Sequence, residues 1–268
     1  MNNFAYFILS YNKPNNITTL ELLERYNVDA PIYIVIGEDD PSYNEYLKNE
    51  KLNVITFKKE DYFDKVDELG TYRETHKICT YARQFVDEYA RKHNIKYVCV
   101  LFDDILNFRL RYISENKVKG TESFDFNRLM KNYIELLNCS KNIALVGPPS
   151  SSYYIGINRE KADTPASHYG NMFIYDIEKP IGPFTASVLE DMTIVLRNSE
   201  RGKLGIFPFG LQVECREPMK TDDAYKGISK LEYIEQHSIM TRGTKQGLKV
   251  KIPYNKFIPK ILSEVYKK

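Results

Sequence analysis

Four times within its first 102 residues the chain passes from a short apolar run into a polar turn, and helical patterns separate the runs. The runs are Phe4 to Leu9, Pro31 to Ile36, Asn53 to Phe57 and Tyr97 to Phe102. Between them, Thr18 to Arg25 and Tyr43 to Asn49 have helical spacing. Thr71 to His93 is a long amphipathic stretch, with Ile78, Ala82, Phe85 and Tyr89 three and four residues apart. A β-α-β-α-β-α-β order buries its apolar faces as a mostly parallel sheet with helices on both sides. Tyr97 to Phe102 is β-branched and apolar enough to be covered on both faces. A helix near Phe124 to Leu137 and a strand at Asn142 to Val146 continue the pattern. After Gly147-Pro148-Pro149 it becomes mixed, with a strand at Phe173 to Tyr175 and a helix over Thr185 to Leu196. The fold class expected is α/β: one domain over residues 1–268, its central, mainly parallel sheet flanked by helices, its C-terminal third less regular.

Composition narrows the function classes. Of 268 residues, 43% are hydrophobic and 28% charged, which is globular and not disordered. The longest apolar runs fall far short of the ~20 residues a membrane helix needs, so no membrane association is expected. The N-terminus lacks a cationic segment and a small-residue cleavage site, and no signal peptide is expected. Cys79, Cys99, Cys139 and Cys215 form no C-x-x-C pair, which points to reduced thiols in a cytoplasm. Residues 201–268 carry 14 Lys and Arg against 7 Asp and Glu, a net +7, whereas residues 1–200 carry 24 against 29, a net −5. A basic C-terminal quarter is either a phosphate-facing surface or an ordinary solvated one.

Ligands of open α/β sheets bind beyond the carboxyl ends of the strands. That rule selects Ser10 to Lys13, Gly37 to Asp40, and Asp103-Asp104. Two adjacent acids at a strand end can share a divalent cation or hydrogen-bond a ribose, and without a cation they repel. The alternative is a loop with two solvated acids. Glu190-Asp191, in Leu189-Glu190-Asp191-Met192-Thr193, is a second pair near the start of a helical pattern, where the macrodipole favours carboxylates in any case.

The order of these parts resembles the nucleotide-sugar-dependent glycosyltransferases of the GT-A fold. The short form, with Phe-Asp-Asp-Ile at residues 102–105 and Leu-Glu-Asp-Met-Thr at residues 189–193, resembles the phage-encoded TET-associated glycosyltransferases, which modify hydroxymethylated pyrimidines in DNA. The resemblance implies a nucleotide-sugar-binding half over residues 1–147 and an acceptor-binding half over residues 148–268. It implies a UDP-sugar donor gripped by Ser10, Tyr11, Asn12, Lys13, Glu38 and Asp39, with Arg83 approaching the diphosphate or the acidic cluster. Mn²⁺ or Mg²⁺ would be held by Asp104, with Asp103 on the metal or the ribose. The usual acid run ends in a third carboxylate, whereas position 105 here is Ile. Asp191 would be the general base of an inverting transfer, with Glu190 as the substitute.

By the same resemblance, His237 would complete the metal shell, with a surface histidine as the alternative. On the residues themselves, His168 precedes an apolar strand and could sit at the acceptor mouth, and Tyr153 and Tyr154, in a polar segment after Pro148-Pro149, either stack an acceptor base or sugar or belong to a plain loop. The stretch Thr241 to Lys249 is basic and glycine-containing without the P-loop order, and it could close over a diphosphate or contact a nucleic-acid backbone, a choice the spacing does not decide. The acceptor implied is a hydroxymethylpyrimidine in DNA, with a saccharide or protein hydroxyl as the alternative. Two other readings remain open on the residues alone: a nucleotidyltransferase, and a non-catalytic nucleic-acid-binding protein that uses the basic C-terminal quarter.

Overall fold

The computed structural model describes residues 3–66, 79–115, 117–148, 171–179, 181, 183–185, 190–208, 210–215, 241–244 and 247–250. The strands of the main sheet are β1 (Phe4–Leu9), β2 (Ile32–Gly37), β3 (Val54–Phe57), β4 (Tyr97–Phe102), β7 (Ile143–Val146), β8 (Met172–Asp176) and β9 (Leu204–Ile206). They lie in the order β3-β2-β1-β4-β8-β7-β9. β8 pairs antiparallel with β4 and β7, and the other pairings are parallel. Six strands therefore point one way and only β8 is reversed. The expected α/β sheet is present, with its carboxyl edge formed by the ends of β1, β2, β4, β7 and β9 and the start of β8.

Period-two alternation gives each strand two buried faces. Tyr6 and Ile8 of β1, Cys99 and Leu101 of β4, and Met172 and Ile174 of β8 share one core. Helices α1 (Thr18–Arg25), α2 (Tyr43–Lys48) and α4 (Phe126–Asn138) cover it with Leu22, Leu23, Tyr46, Met130 and Leu137. Ala5, Phe7, Val98, Val100, Phe173 and Tyr175 face the opposite core, under Ala82, Val86 and Ala90 of α3 (Cys79–Lys92) and Ile194 and Val195 of α5 (Glu190–Glu200). Among the described residues, no helix is long and apolar enough to cross a membrane.

A second sheet of three strands, β10-β5-β6, branches off just after Asp104. It contains β5 (Ile105–Ser114), β6 (Lys117–Thr121) and β10 (Leu211–Cys215), all antiparallel. The sequence reading assigned no element here, although Leu106, Phe108, Leu110 and Tyr112 alternate with Asn107, Arg109 and Arg111 at strand period. A seven-residue 3₁₀ segment over Lys59–Lys65 follows β3.

One expectation is corrected. Thr185 does not begin a helix: Gln84 Nε2 donates to the carbonyl of Phe184 at 2.5 Å, and the Phe184 ring packs on Phe173 and Tyr175. Those contacts hold residues 183–185 outside helical geometry, and the helix runs over Glu190–Glu200. Within the basic stretch Thr241 to Lys249, β11 (Thr241–Thr244) pairs antiparallel with β12 (Gly247–Val250). Tyr153, Tyr154, His168 and His237 lie outside the described residues.

Candidate active site

The first group of polar residues forms where β1, β2 and β4 end side by side. Ser10 follows β1, and its Oγ donates to Asp103 Oδ2 at 2.9 Å, across from the end of β4. A hydroxyl has one proton to give, so Tyr46 Oη is the donor in its 2.8 Å bond to Ser10 Oγ. Tyr46 Oη in turn accepts from the backbone N–H of Lys13 at 2.9 Å. Asn12 takes a left-handed backbone, φ 54°, which asparagine tolerates better than most residues. This turn brings Lys13 back so that its Nζ meets Asp103 Oδ1 at 2.8 Å. Both oxygens of Asp103 are thus engaged by the loop after β1.

Asp40 ties that loop to the next one. Its Oδ2 accepts from Asn12 N at 2.9 Å and its Oδ1 from Ser42 N at 2.8 Å, while Ser42 Oγ donates to Asn12 Oδ1 at 2.7 Å. Asp40 is buried, whereas its neighbours Glu38 and Asp39 are exposed. A Cβ on Gly37 would lie 2.4 Å from Asp39 Oδ1, so only glycine lets that carboxylate fold back over the end of β2. Tyr11 is half-buried beside these acids. Burial first, then the charges of Asp40 and Asp39, push its phenol above the ordinary tyrosine range. Burial likewise raises Tyr46, against the opposing effect of its hydrogen bonds with Ser10 and Lys13.

The turn carrying Asp103 and Asp104 is clamped by the start of α1. Thr19 N and Thr18 Oγ1 donate to the carbonyl of Asp103 at 3.3 and 3.2 Å. Thr19 Oγ1 donates to the carbonyl of Phe102 at 2.6 Å and accepts from Ile105 N at 2.9 Å. Helix α1 has no side-chain cap, and the turn supplies the acceptor its first amides need. Asp104 is half-buried beyond this clamp, next to Cys215 of β10. Asn171 Nδ2 stands 2.6 Å from Cys215 Sγ. Burial pushes the Cys215 thiol up to about 11, with Asn171 opposing and the charge of Asp104 adding.

The second group lies under the other face of the sheet. Helix α5 precedes β9, which runs parallel to β7, so α5 begins at the carboxyl edge. Glu190 Oε1 meets Arg83 Nη1 at 2.9 Å and Cys79 Sγ at 3.5 Å. The Arg83 side chain is only 2% exposed. Its guanidinium carbon lies 5.4, 5.5 and 5.6 Å from the ring centres of Phe102, Phe173 and Phe184. Cys79 is pushed well above the usual thiol range by burial, with Arg83 opposing and both Glu190 and Asp191 adding. Asp191 is half-buried in the same helical turn.

The structure therefore gathers Ser10, Tyr11, Asn12, Lys13, Glu38, Asp39, Asp103 and Asp104 along one edge, and Arg83 with Glu190 and Asp191 beside it. Sequence reasoning missed Tyr46, Thr19, Asn171 and Cys215 as parts of this edge. Asp40 was selected with the run after β2, but its role in tying two loops together was not read. A buried tyrosine in a six-residue helix had no visible signal.

Among the described residues no three His, Cys, Asp or Glu side chains come together as a protein-made metal cage. A hard cation does not need one, because Mg²⁺ and Mn²⁺ are commonly held through one or two carboxylates plus substrate phosphates and water. The half-buried carboxylate of Asp104 at the sheet edge fits that mode. Asp103 fits it less well, with Lys13 already on Oδ1 and Ser10 on Oδ2.

A model of the TET-Associated Glycosyltransferase family matches residues 4–207. No curated protein matches the sequence. Among solved structures, glucosyl-3-phosphoglycerate synthase from Mycobacterium tuberculosis, in complex with Mn²⁺, UDP-glucose and phosphoglyceric acid, is 9% identical with a TM-score of 0.50. The match covers 92% of this chain and 86% of that one. The same enzyme with Mn²⁺, UDP and phosphoglyceric acid is 10% identical at a TM-score of 0.49, over 93% of this chain and 86% of that one. The first of these supports a shared GT-A fold.

Proposed function

The chain belongs to the TET-associated glycosyltransferase family, and from that premise we propose that it moves a sugar from a UDP-sugar to an acceptor hydroxyl with inversion, using Asp104 for a divalent cation and Asp191 as base. The observation that carries this reading is that two acid pairs from distant parts of the chain both lie at the carboxyl edge of the sheet, one after β4 and one at the start of α5, with Arg83 bonded to Glu190 and packed on Phe102. The synthase of matching fold binds UDP-glucose and Mn²⁺, which supports the choice of donor and cation.

Each group has a role in that chemistry. Tyr11 and the loop around Asn12 offer a half-buried ring and a preformed backbone turn for the base. Asp103, held by Ser10 and Lys13, presents its carboxylate toward a ribose hydroxyl, and Lys13 adds positive charge beside the phosphates. A cation on Asp104 would stabilise the charge that develops on the departing diphosphate. Asp191 takes the proton of the acceptor hydroxyl as it attacks from the face opposite the leaving group.

The acceptor we favour is a hydroxymethylated pyrimidine in DNA. The net +7 of residues 201–268 beside the net −5 of residues 1–200 suits a polyanion on the acceptor side. Calorimetric titration of UDP with and without Mn²⁺ tests the donor site, and the expected result is binding that strengthens with the metal. Absence of UDP binding in both conditions rejects the reading. A panel of UDP-sugars offered with hydroxymethylated DNA, unmodified DNA and free saccharides tests the acceptor. Label on the modified DNA alone is expected, and label on a free saccharide with none on DNA rejects that acceptor.

A further inference from the structure

We propose that Arg83 is a positioning residue for the transfer step: its ion pair with Glu190 holds the start of α5, and with it Asp191, against the end of β4 that carries Asp103 and Asp104. The proposal rests on the reading of Asp191 as base. It takes up the acid-facing alternative of the two that the resemblance implied for Arg83, because a guanidinium that is 2% exposed presents almost no surface to a donor in the cleft.

The topology shows why such a strut is needed. Helix α5 leads into β9 at the far edge of the sheet, and β7 and β8 separate β9 from β4. Among the described residues, no strand pairing joins β9, into which α5 leads, to β4. Arg83 spans that gap from a third element. Its Nη1 reaches Glu190 at 2.9 Å, and its guanidinium carbon sits 5.4 Å from the ring of Phe102, the residue before Asp103. Phe173, paired in register with Val100 of β4, and Phe184 complete the aromatic enclosure. Rings on several sides and a carboxylate at one end leave the charge few alternative positions.

The residue type fits the task. Arginine is planar and weakly hydrated, so it stacks on rings and hydrogen-bonds at its edge at once, whereas a lysine ammonium is a compact, strongly hydrated point charge. The arrangement also divides the acid pair. Glu190 spends Oε1 on Arg83 and Cys79, and the base proposed above is its neighbour Asp191.

Four proteins test this: wild type, Arg83→Lys, Arg83→Met and the double variant Arg83→Met/Glu190→Gln. Two readouts are taken, amide hydrogen exchange over residues 190–195 and the split between turnover and Mn²⁺-dependent UDP affinity. Misplacing a reacting group by about 1 Å can cost ~10²-fold in rate. Arg83→Met is therefore expected to speed exchange at the start of α5 and lower kcat ~10²-fold, on that scale, with UDP affinity within about threefold. The double variant should lose no more kcat than Arg83→Met, because both act through one ion pair. Arg83→Lys keeps the charge and is the variant to rely on should Arg83→Met not fold. Its expected loss is about tenfold in kcat, between wild type and the Met variant. Unchanged exchange and kcat in Arg83→Lys and Arg83→Met overturn the proposal, and so does a fall in UDP affinity that matches the fall in kcat. A wild type that turns over no nucleotide sugar sinks the glycosyltransferase reading instead, and the exchange data still decide whether Arg83 anchors α5.

Discussion

Two ion pairs stand at the carboxyl edge with nearly equal lengths, Lys13 to Asp103 at 2.8 Å and Arg83 to Glu190 at 2.9 Å. They differ in their solvent. Lys13 keeps 40% of its side chain exposed, and Arg83 keeps 2%. An exposed ammonium can let go of its carboxylate and rehydrate, so a ligand can take its place. A guanidinium walled in by three phenylalanines cannot be rehydrated without opening the core, and breaking such a pair leaves a charge stranded. Distance alone would rank the two as equivalents. Burial separates a contact that a donor can rearrange from one that holds two elements together.

The largest effect that would sharpen this contrast is chemical. Asp191→Asn keeps the size of the side chain but cannot accept a proton, and the expected loss of transfer is ~10² to 10⁴-fold with UDP binding intact. Asp104→Asn should show the converse, a loss of Mn²⁺-dependent UDP affinity in calorimetry. Full transfer by Asp191→Asn would move the base elsewhere.

On stability, the sealed pair should matter more than the open one. Removing one member of a buried pair costs about 3–5 kcal/mol, and Arg83→Met should fall near 3 kcal/mol because Glu190 retains 19% exposure. Urea denaturation measures it, and the double variant with Glu190→Gln should recover part of the loss. Tyr46→Phe comes next. It removes the acceptor of Lys13 N and the donor to Ser10, at a cost of about 1–3 kcal/mol, and it should loosen UDP binding by freeing the loop. Lys13→Met should cost less, about 1 kcal/mol, because the ammonium is 40% exposed and Ser10 still donates to the buried Asp103 carboxylate. Its visible consequence would be in UDP affinity at low salt. A larger stability cost for Lys13→Met than for Arg83→Met would break the comparison.

Much of the sheet was legible because a strand covered on both faces must be apolar throughout. Phe4 to Leu9 and Tyr97 to Phe102 carry that signal without help from any neighbour. The three-stranded sheet was harder to see: β5 has a period-two pattern, but its partner β10 lies about a hundred residues away and β6 is short and polar. The polar turn after β1 and the acids after β2 and β4 could be selected from the sequence, since strand ends in a parallel sheet face one edge. The partners of those acids could not. Asp40 and Asp103 are chemically alike in the sequence, yet one binds two backbone amides and the other a serine and a lysine.

The sequence by itself determined the alternation of strand and helix, the acids that cap the strands and the two acid pairs, because periodicity and composition are local properties. Tertiary structure alone decided that Arg83 is sealed beneath Phe102, Phe173 and Phe184 while Lys13 stays wet, and that Tyr46 closes the loop after β1. Each of these depends on which side chains from remote segments exclude water around a charge, and solvent exclusion arises only when the sheet and its helices are packed.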